Sequence, residues 1–522
     1  MCTITSKQIN QIQALILKAP HPKTLNQLLK LLANSDTPQN AFLLYNQMLH
    51  HPTCHNNYTF SHALKACFVS HSHQKGLEIH ARVVKSGHLS DIFIQNSLIH
   101  FYVTQNEICS ARRIFNSISA PDVVSLTSII SGLSKCGYEE EALLIFSKMN
   151  VKPNLATLVG VVSACSGLGD LGLGKSVHGY SLRSLDVNGI LLDNALLDFY
   201  MKCGDFLSAE YLFVYMLKRD VVSWTTMVGG YARRGFCEEA VRIFKNMVQE
   251  GEAEPNEATL VNVLSACSSV SGLSLGRWVH SYIYSRPDLL AYSNNVGNAL
   301  LNMYLKCGDV DMAIQVFNTL IHKDIISWST IIRGMAMNGC VKQALQLFSL
   351  MLVHGIVPDD VAFLGLLSAG SHAGLVGQGL MFFKAMESVY GVVPQMQHYA
   401  CMVDMYGRAG RLEEAEAFIR TMPLQADGPV WGALLNACRI HGDDEMFKRI
   451  RVGLLNSRGV SIGTFALLSN TYASSDRWDD ANEVRDAMRS MGLKKMAGRS
   501  WIETVPANSG QDFDACLAEA AK

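Results

Sequence analysis

The chain has 522 residues, 49% of them hydrophobic and 17% charged, with 44 Lys and Arg against 45 Asp and Glu. That apolar content excludes a disordered tail protein, which lacks the surface to offset the entropy of folding, and the even charge excludes a bulk electrostatic grip on duplex nucleic acid. No uncharged apolar run reaches the roughly 18 residues that a membrane span needs, so no membrane is expected.

Taken in chain order, the first element is a short N-terminal segment, 1–21. Residues 1–35 hold four Lys and no Asp or Glu, which suits import into an organelle. From residue 22 the chain repeats itself, and such periodicity is to be read before anything else. SLIHFYVTQNEICSARRIF from Ser97, ALLDFYMKCGDFLSAEYLF from Ala195 and ALLNMYLKCGDVDMAIQVF from Ala299 are near-copies. So are VVSLTSIISGLSKCGYEEEALLIFSKM from Val123, VVSWTTMVGGYARRGFCEEAVRIFKNM from Val221 and IISWSTIIRGMAMNGCVKQALQLFSLM from Ile325. A third set starts at His62, Gly160 and Asn262. The three kinds alternate in fixed order.

Units set at 22–56, 57–91, 92–122, 123–154, 155–189, 190–220, 221–256, 257–293, 294–324, 325–359, 360–395 and 396–427 place Ala or Gly at the twentieth residue in twelve cases of twelve. A small residue there lets the two helices of a hairpin approach closely. Within a unit, apolar residues recur at helical spacing, as in Trp224, Met227, Val228 and Tyr231. A turn with Gly follows, then a second amphipathic helix. No such hairpin buries its apolar face alone, so the expected fold is all-α, a right-handed α-solenoid of stacked helix-turn-helix units.

The repeat disposes of several tempting motifs. GDLGLGKS from Gly169 fits a phosphate loop and GLSLG from Gly272 fits a nucleophile elbow. Both need a preceding strand, and helical sequence precedes each. The fourteen cysteines form no C-x-x-C pair, and Cys67, Cys165 and Cys267 share one repeat column, which reads as packing. His80, His178 and His280 share another, which reads as core or groove lining. No catalytic set, metal site or cofactor is expected.

NALLNMYLKCGDVDMAIQVF, DVVSWTTMVGGYARRGFCEEAVRIF and HYACMVDMYGRAGRLEEAEAFI closely resemble the pentatricopeptide repeat proteins of land plants. The alternating lengths resemble their PLS subclass, with P, L and S units in triplets. The resemblance covers about residues 22–505: twelve repeats over 22–427, then paired tetratricopeptide-like E motifs over 428–505, then a tail, 506–522. It implies a protein that binds single-stranded organellar RNA and specifies a site of cytidine-to-uridine editing. A mitochondrion is the expected location, with the chloroplast as the alternative.

In that family one repeat reads one base, through its fifth residue and its last. The resemblance assigns U to Asn96 with Asp122, Asn194 with Asp220, and Asn298 with Asp324. It assigns A to Thr127 with Asn154 and to Thr225 with Asn256, and G to Ser329 with Asp359. Asn26 with Asn56 reads a pyrimidine, and Ser61 with Asp91, also base-reading residues by position, falls off the simple code. L units carry apolar fifth residues, Val159, Val261 and Leu364, which cannot hydrogen-bond a base. The implied site is 5′-Y-x-U-A-x-U-A-x-U-G-x-x, with bases sandwiched by second residues such as Val124, Val222, Ile326 and Val361.

Many relatives continue into a DYW-type deaminase, whose zinc chemistry needs H-x-E and C-x-x-C. The tail 506–522 has one Cys and no His. The expectation is therefore no enzyme, with a DYW-type deaminase or editing accessory protein recruited in trans by residues 428–505. The competing readings are an RNA stability, splicing or processing factor without editing, and a protein-binding helical-repeat scaffold.

Overall fold

The computed structural model describes residues 22–35, 38–49, 56–183, 189–269, 272–286, 294–443, 445–447, 449–450, 462–474 and 477–490. The segment 1–21 and the tail 506–522 lie outside them, as does part of the E-type region. Among the described residues all regular structure is helical. The chain divides into two compact units, Met1–Gly230 and Tyr231–Lys522.

In the first unit the helices come in pairs: Pro22–Ala33 with Gln39–Leu49, Asn57–Val69 with His73–Lys85, and Ile92–Thr104 with Ile108–Asn116. Val123–Lys135 with Glu139–Ser147, Leu155–Leu168 with Leu171–Arg183, and Ile190–Cys203 with Phe206–Tyr215 continue the series. First helices pack on the first helices of the next pair, so the pairs stack as a solenoid.

One pair shows the local causes. Asp122 sits in extended conformation before Val123–Lys135 and accepts the Ser125 N–H, an N-cap that occupies one orphan donor. Leu126, Ile129, Ile130 and Leu133, at helical spacing, are buried. Each is worth about 1.5–3 kcal/mol of apolar transfer. Gly137 turns the chain at φ 79°, a conformation that costs glycine nothing. Glu139, Glu140 and Glu141 then open the second helix, where the dipole favours acids. The phosphate-loop look-alike is such a turn: it joins Leu155–Leu168 to Leu171–Arg183, with no strand before it.

The second unit repeats the scheme from Cys237–Glu250 through Glu257–Ser269, Asn294–Lys306, Ile325–Met337, Asp360–Ala373 and Met396–Arg408, with their second helices. Gly428–His441, Ile462–Ser474 and Trp478–Ser490 follow. Leu434, Leu435, Phe465, Leu468 and Tyr472 share one core with Met402, Val403 and Ile419 of the last repeat.

The column of small residues has a second cause beyond hairpin approach. In L units the glycine makes room for the next unit. A Cβ on Gly76 would lie 2.1 Å from Phe101 Cζ, and one on Gly276 2.3 Å from Met303 Sδ. Cys67, Cys165 and Cys267 are fully buried, and burial pushes each thiol up to about 12.

Candidate nucleic-acid interface

Asp122, Asp220 and Asp324 all stand one residue before a first helix, so each has two tasks. As a cap, the Asp122 carboxylate accepts the Ser125 N–H at 2.7 Å, Asp220 that of Ser223 at 2.9 Å, and Asp324 that of Ser327 at 2.8 Å. As a partner, each accepts the Nδ2 of the fifth residue of its own repeat. The distances are 3.3 Å from Asn96 to Asp122, 3.1 Å from Asn194 to Asp220 and 3.3 Å from Asn298 to Asp324.

The three asparagines are nearly buried. Their Oδ1 atoms lie 2.6 Å from Ser125 Oγ, 2.6 Å from Ser223 Oγ and 2.7 Å from Ser327 Oγ. Each amide is therefore held at both ends, and its orientation is fixed. One Nδ2 proton is left over on Asn96 and Asn194, and the carboxylates of Asp122 and Asp220 also accept from the Val124 and Val222 backbone N–H. Burial alone would raise the two carboxyls. The Ser amide and hydroxyl and the Asn amide outweigh it, so both are held below the ordinary carboxylate range.

The P units differ. Thr127 Oγ1 meets Thr157 Oγ1 at 2.6 Å, and Thr157 reaches Asn154 Oδ1 at 2.9 Å, so Thr127 and Asn154 are linked through a third side chain. Asn256 is bonded to Thr259 in the same way, at 2.9 Å. Thr225 lies in the first compact unit, half-buried, and Asn256 in the second, exposed. Ser329 Oγ donates to Asp359 at 2.6 Å, and Asn26 Nδ2 to Asn56 Oδ1 at 2.9 Å. Ser61 and Asp91 are not joined: Ser61 meets Ser97 Oγ at 2.6 Å, and Asp91 accepts from Asn57 at 2.5 Å.

The residue that sequence reasoning passed over is the third of the following unit. Thr59, Ser125, Thr157, Ser223, Thr259 and Ser327 are all fully buried hydroxyls. Their signature is a capping-box pattern, Asn or Asp followed three residues later by Ser or Thr.

In the second unit a groove of about 730 Å³ is lined by Asn256, Val261, Asn295, Asn298, Asn302 and Ile326. Among second residues, Val124, Val222 and Ile326 stand about half exposed, while Val361 is more covered. In the first compact unit the second residues Tyr58 and Phe93 are also exposed, their rings 6.4 Å apart. Among the described residues no group of three or more His, Cys, Asp or Glu is placed to hold a metal. The three column histidines bond the next unit: His80 to Tyr102 at 2.5 Å, His178 to Tyr200 at 2.8 Å and His280 to Tyr304 at 2.7 Å.

Known proteins resemble the chain throughout. The PPR repeat model matches residues 124–152, 194–221, 222–252, 298–325 and 398–424, a PPR repeat family model matches 323–372, and an E motif model matches 455–503. Pentatricopeptide repeat-containing protein At4g38010 of Arabidopsis thaliana is 36% identical over 480 residues, covering 92% of this chain and 86% of that one. The Arabidopsis proteins At1g08070, chloroplastic, and At2g22410, mitochondrial, are 35% and 34% identical over 90% and 96% of this chain, and 68% and 79% of theirs. PPR10 from maize, also solved with an 18-nt psaJ RNA element, superposes with a TM-score of 0.56 at 17% identity, over 98% of this chain and 79% of that chain. At that identity the likeness is one of fold.

Proposed function

Since the chain belongs to the pentatricopeptide repeat family, we propose that it binds single-stranded organellar RNA one base per repeat and marks a site of C-to-U editing. The observation that carries this reading is the recurrent Asn–Asp–Ser set at Asn96, Asn194 and Asn298. An amide proton beside a carboxylate, whose oxygens have further lone pairs, is complementary to the O4 acceptor and N3–H donor of uracil. Cytosine, with an acceptor at N3, would face the carboxylate unfavourably. Thr127 and Asn154, joined through Thr157, offer a different edge and suit A.

The base-reading residues are then Asn26, Asn56, Asn96, Asp122, Thr127, Asn154, Asn194, Asp220, Thr225, Asn256, Asn298, Asp324, Ser329 and Asp359. Ser61 and Asp91 stay in the set with no base named, since they fall off the simple code and bond Ser97 and Asn57 instead of each other. The deamination itself comes from a DYW-type partner docked on residues 428–505, a role supported by the E motif match. Relatives named mitochondrial and chloroplastic support an organellar location, with the mitochondrion proposed first. The test is binding of the pure chain to 5′-Y-x-U-A-x-U-A-x-U-G-x-x and to a scrambled RNA, beside organellar editing with and without the protein. Equal binding to both RNAs would refute the reading.

A further inference from the structure

Net charge near zero hides a local asymmetry in the first compact unit. Lys30, Lys65 and His100 are each the ninth residue of a first helix, in Pro22–Ala33, Asn57–Val69 and Ile92–Thr104. Those three helices pack side by side, so the three residues line up. His62 and Lys135 lie close to the row. His62 is held below its ordinary value by burial, then by Lys30 and Lys65; His100 by burial, then by Lys135 and Lys65. The His100 ring is fixed edge-on against Phe68 at 4.6 Å. Later ninth residues in this unit, Ser131, Ser163 and Asp198, do not continue the row.

Several bases elsewhere in this unit are paired with acids. Lys75 pairs with Glu78 at 2.7 Å, Arg82 with Glu78 at 2.9 Å, Lys175 with Asp205 at 2.8 Å, and Arg112 with Glu141. Among the described residues Lys30, Lys65 and Lys135 have no acid within ion-pair distance. The nearby Asp91 is spent on the Phe93 and Ile94 amides and on Asn57. From the fifth residue to the ninth is four residues, about 6 Å, along the same face. A base read at the helix start thus places its own phosphate near the ninth residue.

We propose that Lys30, Lys65 and His100, flanked by His62 and Lys135, form a phosphate track that grips the backbone of single-stranded RNA at the first repeats whatever its sequence. This rests on the RNA-binding reading above and adds to it a sequence-blind anchor beside the coded units.

The test is fluorescence anisotropy of the full chain on the expected RNA and on a scrambled one, across a salt titration. The double variant Lys30→Gln, Lys65→Gln is expected to lose affinity by the same factor on both RNAs. Its slope of log affinity against log salt should be shallower by about 1.4, at about 0.7 per phosphate contact. Lys30→Arg with Lys65→Arg should restore both quantities, and Lys175→Gln, on a paired lysine, should change neither. An RNA trimmed of the nucleotides over the first repeats should bind wild type and the Gln double variant alike. Unchanged affinity and slope in the Gln double variant, on RNA that the wild type binds, would overturn the track. So would a loss confined to the expected RNA, which would make these residues base readers. Failure of the wild type to bind either RNA would instead overturn the underlying reading.

Discussion

Gly174 faces the ring of Phe199 so closely that a Cβ there would lie 2.1 Å from Phe199 Cζ. Phe199 is fully buried, so its ring has nowhere to go. Gly174→Ala gains about 1 kcal/mol of helix propensity but overpacks a core at a cost of about 1–3 kcal/mol. The balance falls on the side of loss. The urea midpoint should fall in Gly174→Ala and recover in Gly174→Ala with Phe199→Leu. A rise in the single variant would show that the helices separate freely.

One turn beyond that glycine, His178 bonds Tyr200, and His80 and His280 repeat the arrangement. Burial holds all three imidazoles below their ordinary value. The unfolded chain therefore takes up protons first as pH falls, and stability present above about pH 6.5 is lost on acidification through the folded values. Asp122, Asp220 and Asp324 are also depressed, and their contribution is lost only lower, below about pH 4. The last triplet has Phe383 in the histidine column. Replacing all three histidines by Phe should shrink the fall in melting temperature between pH 6.5 and 5, leaving the share of His62 and His100, and leave the lower step. A triple variant with the wild-type profile would assign the upper step elsewhere.

The period, the helix starts and the Asn–Asp pairs could all be read in the sequence, because each is written in residue type at fixed spacing. The partner of Gly174 could not. A small residue announces a close approach but not from which side, and Phe199 is 25 positions away on another helix. Ser223 was visible only as a helix-start residue. Its bond to Asn194 spans 29 positions and depends on how two first helices stack. Lys30 and Lys65 escaped for another reason: a charge total averages a paired lysine such as Lys175 with an unpaired one.

Trp478 opens the last described helix, Trp478–Ser490, with 54% of its surface exposed. Deleting that region would confound docking with folding, since Leu434 and Leu435 share the last repeat's core. A point change avoids this, and exposed tryptophans are frequent interface anchors. Trp478→Ala should leave the melting curve and RNA affinity within error while lowering editing in the organelle severalfold. Editing at wild-type level would remove Trp478 from the docking surface.

Ser223 touches no base in the proposed complex, yet its hydroxyl lies between Asn194 Oδ1 at 2.6 Å and Asp220 Oδ1 at 3.0 Å. Without it the Asn194 amide can turn over, presenting acceptor for donor. Ser223→Ala should therefore narrow the preference for U over C at that repeat, while Ser223→Thr keeps it. The measurement is the affinity ratio on two RNAs differing at one base. A retained ratio in Ser223→Ala would mean Asp220 alone orients the amide.

The strictest test converts one repeat into another within the same compact unit. Asn194 with Asp220 is proposed to read U and Thr127 with Asn154 to read A, but each set includes a third residue: Ser223 in one, Thr157 in the other. Exchanging only the coded pair would leave Ser223 Oγ beside a threonine too short to reach it as Asn194 does. The complete exchange is Asn194→Thr, Asp220→Asn and Ser223→Thr. Both caps survive, since Asn154 accepts the Thr157 N–H at 2.8 Å just as Asp220 accepts that of Ser223 at 2.9 Å. Loss of the uracil contact should cost roughly 1–3 kcal/mol on the original RNA. A single U-to-A change in the RNA should restore most of it, and more fully in the triple than in the double variant. If wild type and triple variant bind both RNAs equally, this repeat does not read its base, whatever its hydrogen bonds.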